Sequence, residues 1–503
     1  MKKVIFVFCA VSIIALELNC VQQGKQTETI EQFYSYLNNP STFPVSFKYK
    51  NTTYKGFQTG FEEKNREAIH ETLGSGAQRD RTIIRFLHSE SGVLFTVDAC
   101  IYPDYDAFEW TISLKNESAN QTENFSDFNA ADMNFAGNNP YLKGITGDYG
   151  DWYEPYQYDL SNKSLSYGTT TGRPSHTHFP YYNLEYGEGG TLIAIGWPGN
   201  WLAVFKHEND KTNFVGGLMN FNTNLKQGES VRMPLMAFVN YKGRDLNIAT
   251  NAWRRWFINC NLRHFDGKPF QTVLGASTMS QGMTTEKVLT RLDTYFKHGI
   301  KLDYYWMDAG WYTGLDGETV GWPQTGSFHI NTDMFPDRLA DISKKLKENN
   351  GKLMLWFEPE VVRFDKQTYL SKMPEVKEEW LMGTVFKDTW LEGQLFDWGN
   401  TECFDWIFNK VVDVIETTGL SMYRQDFNVD PAQVWAACDE PGRMGIRENR
   451  WVTGYLAFWD KLIKRYPAMM IDACASGGVI ETCKREGIDI IPYREEVEEV
   501  LKN

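Results

Sequence analysis

The carboxylates of this chain recur in one kind of place. Asp308 and Trp311 stand in WMDAGW; Trp356, Glu358 and Glu360 in WFEPE; Arg424, Asp426 and Asn428 in YRQDFN; and Asp472, Cys474 and Ser476 in IDACASGG. Each motif closes a short apolar run with the composition of a buried strand, then turns polar and small. Where parallel strands close into a barrel, their C-terminal ends ring a single pocket, so these groups would converge. Paired carboxyls in such a pocket suit glycoside hydrolysis: one attacks the anomeric carbon while an acid protonates the leaving oxygen. A single Asp at a strand end is more often the cap of the next helix. Four such ends in one chain point instead to chemistry.

The strand ends need a scaffold, and the sequence around them supplies one. After NAWRRW, Asn251 to Trp256, strand and helix patterns alternate: FQTVLGAST with TTEKVLTRLDTYFKHG, LDYYWMDAGW with DRLADISKKLKENNG, and LMLWFEPEV with a longer insertion. MYRQDFN with RENRWVTGYLAFWDKLIKRYP, MMIDACASGG with ETCKREG, and a final IDIIPY complete the series. Repeated strand-then-helix units predict a parallel sheet, and a (β/α)8 barrel of the TIM type over 251–503 is the expected closure. At most six strands are present, because only Arg494 to Asn503 follow the last. The barrel is therefore expected to be truncated. Upstream, over 43–250, short apolar runs separated by Gly, Asn, Asp and Pro (TIIRFLH, GVLFTVDACIY, FEWTISLKN) read as a large antiparallel sandwich. The expected fold is multidomain, β followed by α/β.

Composition narrows the function classes. The chain has 503 residues, a net charge of −14 and a pI near 5.2, with no Lys/Arg-rich stretch, which excludes a polyanionic partner such as nucleic acid. Seventeen Trp and 25 Tyr among many Asp, Asn and Gly suit stacking on apolar sugar faces and bonding of hydroxyls, although core packing accounts for most rings. The eight Cys are widely spaced and form neither a disulfide framework nor a metal motif, so no metal or cofactor is expected. MKKVIFVFCAVSIIALELNC has the shape of a signal peptide over 1–19, with Cys20 placed for bacterial lipidation and a polar tether over 20–42. Export to the periplasm or cell surface is expected, with membrane attachment through a lipid anchor only.

WMDAGWY, WFEPEVV, LFDWGN, YRQDFNVDP, GIRENRWVTGYLAFWDKL and IDACASGG resemble, in order, barrel motifs of the family 36 α-galactosidases of glycoside hydrolase clan D. GWPGNWLAVF and NAWRRW resemble that family's N-terminal β-supersandwich and its junction. The resemblance implies a retaining α-galactosidase acting on terminal α-linked galactose. It implies Asp426 as the nucleophile of a Lys-Trp-Asp-x-Asn pattern and Asn428 as a sugar contact, with Arg424 and Gln425 replacing Lys and Trp. Asp308 matches the first of a paired Asp-Asp that holds galactose hydroxyls; Ala309 replaces the second. Cys474 and Gly477 match a segment around the 2-hydroxyl, and Trp356 and Trp311 belong to the expected sugar-binding set. Cys474 read alone is equally a small buried thiol, and Trp356 a core ring.

One expected part is altered. Where the family has an Arg-Ser-Asp-like motif carrying the general acid/base, this chain ends YREEVEE, with Glu496 the nearest positional equivalent and Glu495 its rival. EEVEEVLKN also reads as a plain charged helical end. Three alternatives therefore stay open: a catalytically silent glycan-binding surface protein, a fragment or frame-shifted reading, and an α-N-acetylgalactosaminidase or galactosyl transferase of the same clan. Homo-oligomerisation is a further expectation.

Overall fold

The computed structural model describes residues 28–148, 153–265, 267–269, 273–278, 280–315, 325–387, 389 and 392–474. The first half is a two-sheet antiparallel sandwich, with ten strands in one sheet and seven in the other. Its central strands Val93–Tyr102 and Ala107–Asn116 pair antiparallel and alternate buried with part-exposed residues, the period of two that a half-buried strand requires. Phe95, Val97, Trp110 and Ile112 are thereby aimed into the core. The Trp110 indole crosses the layers and donates to the Ala130 carbonyl at 2.9 Å, so its N–H is not left unpaired. Strand Phe61–Thr72 lies at the sheet edge and is exposed and charged along most of its length, which disfavours edge-to-edge pairing.

The expected tether is structured from its middle onward. Glu28–Asn38 is an α-helix whose Ile30, Phe33 and Leu37, spaced i, i+3 and i+7, are buried on the sandwich. Phe33 stacks on Phe108 at 4.2 Å and on Trp110 at 5.6 Å. This segment is part of the sandwich core. The junction helix Leu246–Trp256, capped by Asp245, spans the boundary placed at residue 250 and lays Ala249, Ala252 and Trp256 on the sandwich.

Five parallel strands follow, β1 (Gly275–Thr278), β2 (Tyr304–Met307), β3 (Lys352–Phe357), β4 (Met422–Asp426) and β5 (Met470–Cys474), paired in chain order. Helices α1 (Thr285–Lys297), α2 (Ala340–Glu348), α3 (Thr401–Thr418) and α4 (Ile446–Arg465) connect them. This is a (β/α) barrel arrangement over the described residues, and IDIIPY lies outside them. Thr284 caps α1, Asn400 caps α3 through two backbone N–H groups, and Gly419 ends α3 at φ 66°. LFDWGN is not a barrel strand: Gly393–Phe396 pairs antiparallel with Val361–Val362 and with Leu381–Val385 in a sheet inserted between β3 and α3. The run is apolar because it lies over the barrel, where Trp451 of α4 donates to the Phe396 carbonyl at 2.9 Å.

The sandwich is docked on the barrel by the motifs that mark each. Glu448 of α4 accepts from the Trp197 indole at 3.0 Å and from the Asn200 backbone N–H and side-chain amide at 2.6 and 2.8 Å. Gly199 leaves the room for this, since a Cβ there would lie 2.5 Å from a Glu448 oxygen. Arg173 of a sandwich loop donates to Asp430, four residues beyond Asp426, at 2.9 Å.

Candidate active site

On β4 and the loop after it, Tyr423, Gln425, Phe427 and Val429 are buried while Arg424, Asp426 and Asn428 are part-exposed. The buried set packs toward the helix layer, Tyr423 against Phe357 of β3 and Phe458 of α4, and Gln425 against Trp459 of α4. The other set faces the barrel interior. Asp426 Oδ2 accepts from the Trp356 indole at 3.0 Å, and Oδ1 accepts from the Phe427 N–H at 3.1 Å. Trp311 in turn donates to the Trp356 carbonyl at 2.8 Å, and both indoles are buried. Trp311 thus stands behind Trp356, and the WMDAGW and WFEPE arms together hold the Asp426 carboxyl in one orientation.

Arg424 is flanked on both sides. It is in register with Trp356 on β3 and with Asp472 on β5, forms an ion pair with Asp472, and stacks over the Trp306 ring at 4.1 Å. The planar guanidinium suits both partners, which a Lys ammonium would not. Asp308 follows β2 directly: its N–H donates to the Thr278 carbonyl at 2.9 Å, and its Oδ1 accepts from the Ala309 N–H at 2.8 Å. The Cys474 backbone lies in register with Asp426. Its side chain, Gly477 and Glu496 fall outside the described residues.

Two more carboxyls sit behind the site, both wholly buried. Glu358 is held by Arg363 at 2.8 and 3.3 Å and accepts from the Asn428 N–H at 3.1 Å, so it fixes the loop that carries Asn428. Burial pushes the Glu358 carboxyl up, and the adjacent Arg363 guanidinium pulls it back. It does not open into the barrel mouth. Glu360 accepts from the Gln425 amide and, among the described residues, has no cation beside it; burial pushes its carboxyl well above the usual range. Among the described residues no group of His, Cys, Asp and Glu could hold a metal ion.

Sequence reasoning brought Asp308, Trp356, Arg424, Asp426 and Asn428 to one end of the sheet, and the structure places them there. It missed Arg363, Trp306 and Trp459. Arg363 follows WFEPEVV directly and pairs back by five residues, a signal present in the sequence. Trp306 precedes Asp308 by two and so shares its face. Trp459 is fixed only by the packing of α4.

The described residues thus form an antiparallel sandwich followed by a parallel strand-and-helix domain, with a carboxylate held at the end of its fourth strand. Residues 278–485 match the Melibiase family model. Alpha-galactosidase 1 of Pediococcus pentosaceus is 20% identical over 403 residues, 77% of this chain and 53% of that protein. Alpha-galactosidase AgaA of Geobacillus stearothermophilus is 22% identical over 321 residues, 61% of this chain and 42% of that protein. The solved family 36 structures AgaB, and AgaA in complex with stachyose, both of G. stearothermophilus, superpose with TM-scores of 0.69 and 0.68 at 15% identity. They cover 86% and 87% of this chain, which covers 61% and 62% of theirs. The chain is similar to these α-galactosidases, and it spans about half the length of the curated proteins it matches, such as the P. pentosaceus enzyme.

Proposed function

We propose that this chain carries the nucleophile half of a retaining α-galactosidase site, with Asp426 attacking the anomeric carbon of a terminal α-linked galactose. The observation that carries the reading is the Asp426 carboxyl, part-exposed at the barrel mouth and held by an indole N–H at 3.0 Å. Attack forms a covalent galactosyl ester, and a second carboxylic acid protonates the leaving oxygen and then activates water. Glu496 is the proposed acid. Asp308, Arg424 and Asn428 are the proposed sugar contacts, with Trp356 as the aromatic wall. Arg424 presents a planar fork to vicinal hydroxyls where the family pattern has Lys.

The protein is further proposed to be exported and anchored through Cys20. The test of activity is release of the aryl group from an aryl α-galactoside by purified protein. Turnover lost in Asp426→Ala supports the reading. Galactose binding with no turnover of any α-galactoside supports a silent glycan-binding protein instead.

A further inference from the structure

We propose that Glu360 is a positioning residue that, through Gln425, sets the placement of Asp426. The inference rests on Asp426 being the nucleophile. The chain of contacts starts at Trp459 of α4, whose indole nitrogen can only donate; it donates to Gln425 Oε1 at 2.7 Å. That fixes the orientation of the Gln425 amide, so its NH2 points the other way, where it donates to Glu360 Oε1. Oε1 is therefore an acceptor, and a proton taken up by this carboxyl would sit on Oε2, which is buried and, among the described residues, has no hydrogen-bond partner.

Charge reasoning agrees with the geometry. Glu358 and Glu360 are both fully buried, but among the described residues Glu358 has the Arg363 guanidinium and Glu360 has only a neutral amide. A carboxylate without a cation at that depth costs far more than a neutral acid, and Glu358 and Asp426 both add repulsion. Gln425 lies between Arg424 and Asp426 on β4, so the side chain that pins it to the segment after β3 and to α4 also limits sliding of the nucleophile.

The experiment uses the full chain and an activated 2-deoxy-2-fluoro-α-galactosyl fluoride, following the rate of covalent labelling, with galactose as the binding probe. Glu360→Gln keeps an acceptor at the Oε1 position and is expected to label at close to the wild-type rate with an unaltered pH profile. Glu360→Met keeps the volume but removes the acceptor; labelling is expected to slow by about tenfold or more, as loosened positioning does, with galactose affinity unchanged. Gln425→Met cuts the same link from the other side and is expected to match it, which keeps the test available if Glu360→Met does not fold. The proposal is overturned if Glu360→Met and Gln425→Met label as fast as wild type, or if Glu360→Gln is as slow as they are. Wild-type protein that never labels overturns the nucleophile assignment instead.

Discussion

The buried pair Glu358–Arg363 should dominate the stability of the barrel's upper layer, and Arg363→Met measures it. Both side chains are at most 1% exposed, so in the variant Glu358 must either stay charged without a partner or take up a proton. Removing one member of a buried pair costs about 3–5 kcal/mol. That is a fifth or more of the roughly 5–15 kcal/mol that holds a typical domain together. The Asn428 N–H at 3.1 Å still finds an oxygen, so the loss is charge and not the loop contact. Urea unfolding followed by tryptophan fluorescence should show the midpoint falling accordingly. A Glu358 that becomes neutral only in the folded state binds a proton that the unfolded chain releases above its ordinary carboxylate range. The defect should therefore be smaller near pH 5 and grow as pH rises. In Glu358→Leu/Arg363→Met no charge is buried, and the double variant should be more stable than Arg363→Met alone. A single-variant cost below about 1 kcal/mol, or a double-variant cost equal to the sum of the singles, would refute the reasoning.

Further outcomes follow from other contacts. Burial pushes the Glu448 carboxyl up to about 7 against three donors, so between its unfolded value of 4.5 and 7 the folded chain binds more protons than the unfolded one. Stability should fall across that window by roughly 3 kcal/mol, and Glu448→Gln should flatten it in a pH series of thermal melts. Gly445 has φ +83° and would place a Cβ 1.9 Å from the Asn220 carbonyl, so Gly445→Ala should destabilise the docked domains by about 2 kcal/mol or more in urea unfolding. Phe33→Ala should cost about 3–5 kcal/mol in the same assay, where a tether residue would cost nothing.

Much of the site was legible because barrel chemistry is local to strand ends: WMD, WFEPE and YRQDFN each place a charged group one or two residues past an apolar run. What was not legible depended on contacts between distant segments. Arg424 and Asp472 are 48 residues apart, and no spacing rule pairs them. Glu358 looked like a pocket carboxyl because sequence cannot say that Arg363 folds back over it. The N-terminal helix was hidden because the polar residues before it masked the Ile30, Phe33 and Leu37 spacing. LFDWGN fell within the insertion after LMLWFEPEV, and nothing in its apolar composition distinguished an inserted antiparallel sheet over the barrel from a strand within it.

The central claim is that Asp426 is the nucleophile, and covalent trapping tests it without help from any acid. Fluoride departs without protonation, so an activated 2-deoxy-2-fluoro-α-galactosyl fluoride should esterify Asp426 whichever carboxyl serves as the general acid. Mass spectrometry of the digested protein should show the sugar on the peptide containing Met422 to Asn428, and no label in Asp426→Ala. A label on any other residue, or undiminished labelling of Asp426→Ala, would contradict the assignment.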